Sequence, residues 1–199
     1  MKRPLLPMIA LAMSCGGVSS PSSTAALGTD LTLETAVTPS SLAGLAVSSG
    51  HLSLEGLSVL GDSPENDRSS LNSLPLDLTA GMQSHPFLGL SPGLYSRLTF
   101  DLDDFDLQGS WNGMPLTIHY DIEDFPIDLL TSVQDVEPGR SVSFHLTMDM
   151  NLWFTTDLLN RAQVDDGEVQ IDFLHNQNIA VDLIANMAAS VSLTASSAL

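Results

Sequence analysis

The chain is short of positive charge, of cysteine and of aromatic rings, and the first two shortages each close off a class of function. Of its 199 residues only 6 are Lys or Arg, against 24 Asp and Glu, for a formal net charge of −18. Lys2 and Arg3 stand at the extreme N-terminus, so the rest of the chain sets four arginines and no lysine against all the acids. Such a surface repels phosphate backbones and speaks against nucleic-acid binding. It suits cations, basic partners or plain solubility. Cys15 is the single cysteine. No disulfide within the chain and no cysteine-based zinc or iron–sulfur site can form. The H-E-x-x-H, P-loop and G-x-G-x-x-G signatures are missing. Pairs of acids arise by chance in so acidic a chain, and a glycosidase-like pair means little without a second feature. Nor is there a long hydrophobic run near the start. The apolar stretch from Pro4 to Met13 falls short of the ~20 residues that a membrane-spanning helix needs.

What stands in that stretch has another shape. Two positive charges, a short apolar run and small residues are the layout of a secretory signal peptide. The string LAMSC, Leu11 to Cys15, resembles the lipobox of bacterial lipoproteins, with Ala12 where that family usually carries Leu. The resemblance implies cleavage before Cys15, lipidation of Cys15 and anchoring to a membrane. Gly16, where Asp would imply inner-membrane retention, implies the outer membrane of a Gram-negative envelope. The chain then divides into a signal peptide over residues 1–14, a tether of small uncharged residues over 15–28, and a folded domain over 29–199.

Hydrophobic residues make up 43% of the sequence, and they alternate with Ser, Thr and Asp, which is the period of a half-buried strand. From Ser141 to Phe154 every even position is apolar, and the odd ones are polar except Trp153. One long antiparallel strand with a wet face is expected there. A second strand runs from Leu94 to about Gln108. Leu94, Leu98, Phe100 and Leu102 share one face, but Phe105 and Leu107 are out of phase with them. A one-residue slip restores a single buried face, which places a β-bulge at Asp103 or Asp104. Asn112-Gly113 then signals a two-residue type I′ hairpin. Pairing around it sets Leu107 against Ile118, Phe105 against Tyr120, Asp106 against His119 and Asp104 against Asp121. Further strands are expected over His51 to Leu60 and Leu74 to Thr79, with Asp30 to Val37 a candidate first strand.

Toward the C-terminus, TTDLLNRA reads as a short helix capped by Thr155 or Thr156. Asp165, Asp166 and Gly167 form a turn before Val169 and Ile171. A second helix sets Ile179, Leu183, Ile184 and Met187 on one stripe, with Asn176 or Asn178 as its cap. The segment SVSL, Ser190 to Leu193, is placed to close the sheet. The fold expected is mainly β, an antiparallel β-sandwich with one or two short C-terminal helices.

Leu76, Asp77, Leu78, Leu90, Pro92, Gly93 and Tyr95, followed by an alternating strand, resemble a family of bacterial lipoproteins with a transthyretin-like or carbohydrate-binding-like β-sandwich domain of unknown function. The resemblance covers roughly Leu52 to Phe154. It implies a sandwich fold and an envelope location, and it carries over no catalytic residue.

The acidic stretch FDLDDFDLQG, Phe100 to Gly109, is the best local candidate for chemistry. Like charges directly opposite destabilise a sheet. Asp101, Asp104, Asp121 and Glu123 must therefore be offset by solvent, by Arg97 or by a bound cation, and clustered carboxylates suit Ca²⁺. A spaced D-x-D-x-D-G loop is absent, so the expectation is a solvated acidic face with weak Ca²⁺ affinity at most. A zinc or copper site from His119 and His145 would require adjacent strands; His119 opposite Asp106 is more simply an ion-pair neighbour. Trp111 flanks the hairpin and Trp153 falls on the polar face of its strand. Either could stack on a sugar ring, but packing on the hairpin end and under the C-terminal helix are the favoured readings. The expectation is a non-catalytic, lipid-anchored envelope protein that serves as a binding or structural module, with no cofactor beyond that cation and with a glycan or an envelope protein as partner. A Ca²⁺-dependent carbohydrate-binding or adhesion module is the alternative, and an envelope hydrolase the weaker one.

Overall fold

The computed structural model describes residues 29–62, 67–69, 73–122 and 125–198. The expected signal peptide, Cys15 and the tether lie outside the described residues, as does Glu123. Strands dominate. They form two sheets that share one hydrophobic core.

The larger sheet is built on two long strands, β2 (Leu45–Gly61) and β6 (Gly93–Trp111), where β1 is Thr29–Thr38, β3 Arg68–Ser69, β4 Leu74–Asp77 and β5 Gln83–Leu90. β7 (Met114–Tyr120) pairs with β6 in the expected register, with Phe105 opposite Tyr120 and Leu107 opposite Ile118. Asn112 and Gly113 take φ values of 50° and 81°, the left-handed pair that a type I′ turn requires. The bulge also stands where the phase break puts it. Leu52 pairs with Phe105 but Leu54 with Leu102, so Asp103 and Asp104 together face Ser53. β8 (Phe125–Val136) pairs with β6 from Gly93 to Leu102, and β7 takes over from Phe105. The bulge therefore sits where β6 changes neighbours.

The other end of β6 departs from the alternation. Pairing to β8 shifts between Tyr95 and Arg97, which turns Tyr95 into the core and leaves Leu94 largely exposed. The Tyr95 hydroxyl is satisfied by donating to the Ser91 carbonyl at 2.8 Å, back across the Pro92-Gly93 turn. Burying a ring whose polar tip has a partner outweighs keeping the smaller Leu94 inside.

The smaller sheet has the order β12-β9-β1-β5, with β9 at Ser141–Asp149, β10 at Val164–Asp165, β11 at Glu168–Ile171 and β12 at Ser192–Ala198. It is not purely antiparallel. β1 runs parallel to β9, and in the larger sheet β11 runs parallel to β7. Leu31 and Leu33 of β1, with Val142, Phe144, Leu146 and Met148 of β9, supply its side of the core.

Three helices stand among the described residues: α1 (Met150–Trp153), α2 (Thr156–Asn160) and α3 (Gln177–Ser190). The long strand expected to reach Phe154 stops at Asp149. The Asp149 carboxylate accepts from the Asn151 backbone N–H and side-chain amide, and the Asn151 side-chain oxygen accepts from the Ser41 N–H and hydroxyl. These local bonds compete with the ladder and turn the chain into a helix. The period changes with it, so Leu152 is exposed and Trp153 is buried. Thr155 caps α2 by accepting from Leu158 N–H. On α3 the expected stripe is buried, but Asn176 caps it in a left-handed conformation without a side-chain bond to the helix. No helix among the described residues is long and apolar enough to cross a membrane.

Candidate functional site

The hand-over of β6 from β8 to β7 concentrates charge. Asp103 and Asp104 project from the bulge, and Asp121 follows the last residue of β7. One carboxylate oxygen from each lies within 4.8 Å of the others. Asp104 and Asp121 are thus brought together as the hairpin register requires, and Asp103 joins them because a bulge sets consecutive side chains out of alternation. Asp101 is not in this trio. It pairs across the strands with Glu55. The Glu55 carboxyl is raised above its ordinary value, first by the charge of Asp103, then by lost solvent, by a hydrogen bond to Asp103, and by the charges of Asp104 and Asp101. Arg97 does not offset this charge, because its guanidinium makes a two-pronged contact with Asp128 on β8.

Beside the trio lies an apolar cleft of about 300 Å³, lined by Tyr120, Asp121, Phe125, Phe173 and Ile184 among others. Phe173 stacks on Tyr120 with ring centroids 4.6 Å apart and stays 51% exposed. The segment after β11 holds it there: Asp172 accepts from the backbone N–H groups of Leu174 and His175, and the Asn176 side chain ties back to Gln163 and Gln170. Glu55 and the Tyr120–Phe173 pair have no place in the sequence reading of the site; Asp103 lies within the acidic stretch but outside the four carboxylates named there. The bulge was a signal for Asp103. Phe173 had none, because its contact with Tyr120 is set by the parallel pairing of β11 with β7.

The sequence-derived aromatic candidates lie elsewhere. Trp111 is 3% exposed at the hairpin end, against Gly44. Trp153 is fully buried beneath α3, where its indole N–H donates to the Ser190 hydroxyl at 2.6 Å. Neither presents a ring face for a sugar to stack on, and packing accounts for both. His119 and His145 belong to different sheets, so they do not combine in a metal site. His145 instead meets Glu34 at 2.8 Å. The pentapeptide Gly89-Leu90-Ser91-Pro92-Gly93 has the G-x-S-x-G form of a nucleophile elbow, but it joins strand β5 to strand β6. An elbow needs a strand-to-helix turn.

A second group crosses the outer face of the larger sheet. His51 of β2 pairs with Asp77 of β4 on one side and Asp106 of β6 on the other, and Asp106 pairs with His119 of β7. Each oxygen of Asp106 takes one imidazole: His51 Nε2 at 3.1 Å and His119 Nδ1 at 2.5 Å. The hydrogen bond and charge of Asp106 hold His119 above its ordinary value. A raised histidine stabilises the fold fully below its unfolded value near 6.5, and that stability is lost as pH rises through the folded value. His119→Gln should therefore cost more at about pH 6 than at about pH 9, by less than roughly 1 kcal/mol for so exposed a pair. Denaturant titrations of both proteins at the two pH values measure it, and an equal cost at both would refute the pairing.

No protein-family model matches the chain, and no curated protein matches it by sequence. Among solved structures it is similar to a putative cell adhesion protein from Bacteroides eggerthii, with 11% identity, a TM-score of 0.30, and 86% of this chain against 55% of that one. It is also similar to a putative cell adhesion protein from Bacteroides ovatus, with 15% identity, a TM-score of 0.23, and 60% of this chain against 39% of that one. The chain thus spans only part of the length of either.

Proposed function

We propose that the protein is a non-catalytic binding module of the bacterial cell envelope, lipid-anchored through Cys15 to the outer membrane, that adheres to its partner through a divalent cation. The observation that carries this reading is the convergence of Asp103, Asp104 and Asp121, from a bulge and the end of the adjoining strand, to within 4.8 Å. Ca²⁺ takes 6 to 8 oxygen ligands. Three carboxylates leave coordination positions for oxygens of water and of a partner, and the exposed Phe173 beside them offers that partner an apolar contact. A cation there would also offset the like charges of Asp103 and Glu55.

Calorimetry and thermal melts with CaCl₂ test the reading. Ca²⁺ should raise the melting temperature of the full chain, and an excess of about a hundredfold over the dissociation constant would add about 2.7 kcal/mol. Asp104→Asn should be neutral or slightly stabilising without the ion, because it removes one of the crowded charges, and should lose the response to Ca²⁺. Absence of both heat and a melting shift at millimolar Ca²⁺ would overturn it, as would a response that Asp104→Asn and Asp121→Asn leave intact.

A further inference from the structure

We infer that the open cleft of about 590 Å³ on the outer face of the larger sheet is a separate binding site for a neutral saccharide, independent of any cation at the sheet end. The cleft lies over β2, β4, β6 and β7, and its volume falls within the range of small-molecule sites. Its polar lining includes Ser49, His51, Asp77, Asp106 and Gln108. The two carboxylates are already engaged. Asp77 accepts from the Thr79 N–H and hydroxyl and the Ala80 N–H through one oxygen, and Asp106 holds an imidazole on each oxygen. They are fixed acceptors with lone pairs to spare, not bare charges in search of a counter-ion. The net charge of −18 disfavours an anion.

Ser49 and Gln108 line the cleft with exposed side chains, and the Gln108 backbone carbonyl accepts from the neighbouring Ser48 hydroxyl. They offer a hydroxyl and an amide, each able to donate and to accept. The exposed ring of Pro75 adds an apolar edge. Neutral donors and acceptors around oriented carboxylates match a ligand that carries many hydroxyls and no charge, because every sugar hydroxyl can donate to a carboxylate and accept from an amide. A hydroxyl that donates to an ionised acceptor makes a stronger bond than a neutral pair.

The test is a glycan array of neutral oligosaccharides probed with the full chain in EDTA, followed by calorimetry on any sugar retained. Binding should persist in EDTA. It should fall at least about tenfold in Gln108→Leu, at unchanged melting temperature since Gln108 is exposed, and should be unaffected by Asp121→Asn. No neutral glycan retained, or equal affinity in Gln108→Leu, overturns the inference. So does binding that EDTA or Asp121→Asn abolishes, which would move the sugar to the acidic end of the sheet. Sugar binding in EDTA with no response to Ca²⁺ would leave this cleft standing and remove the cation-dependent reading.

Discussion

Replacing Trp153 with alanine should lower the unfolding free energy by about 3–5 kcal/mol, the usual cost of emptying the space of a buried tryptophan. The indole is fully buried, packs edge-on to Phe105 with centroids 5.9 Å apart, and lies 6.4 Å from the Phe154 ring. It is also where α3 is fastened. Trp153 N–H donates to the Ser190 hydroxyl, which donates in turn to the Met187 carbonyl, while the Asn186 side chain donates to the Trp153 carbonyl. Removing the ring leaves a cavity and takes one partner from a buried hydroxyl. For a domain of this size, a loss of that order lowers the melting temperature by roughly 2–4 °C per kcal/mol. Trp153→Phe should cost less, because it keeps most of the volume and gives up mainly the hydrogen bond to Ser190. Calorimetric melts of the two variants decide the matter. A change of under ~1 kcal/mol in the alanine variant would mean that the ring is not the core anchor described.

Leu107→Ala should cost about 2–5 kcal/mol. Leu107 is fully buried and lies opposite the buried Ile118 across the hairpin. The same register sets Asp106 and His119 on the outer face, so a slip by one residue would exchange the core and the wet side. The companion Gln108→Ala changes the adjacent, exposed residue and should fall within about 0.5 kcal/mol of the parent. Urea unfolding of the pair reads out the facing directly, and equal losses at the two positions would show that the alternation is not as described.

The hairpin shows how far local signals reach. Asn112-Gly113 and the apolar phase on either side were enough to place Leu107, Ile118 and the opposition of Asp104 to Asp121, because turn geometry and a two-residue period leave one register that buries a single face. The phase break between Leu102 and Phe105 was legible for the same reason. β5 and β8 were not. Their alternation is broken, with Leu130 and Val133 of β8 exposed, so periodicity had no purchase on them.

Sequence alone determined the acidic balance, the β-rich class, the bulge and the buried stripe of α3, each a property of neighbouring residues. It also carried the expectation of a lipidated Cys15, which the described residues do not reach. Tertiary structure decided where the strand after Ser141 ends, since Asp149 and Asn151 turn the chain with partners that include Ser41, more than 100 residues away. It decided that β1 joins β9 and that β11 joins β7 in parallel, pairings between segments far apart in the chain. Those pairings set Phe173 on Tyr120 beside the aspartates and put Trp153 under α3. Contacts of that range depend on how the two sheets close over a common core, and no local period records it.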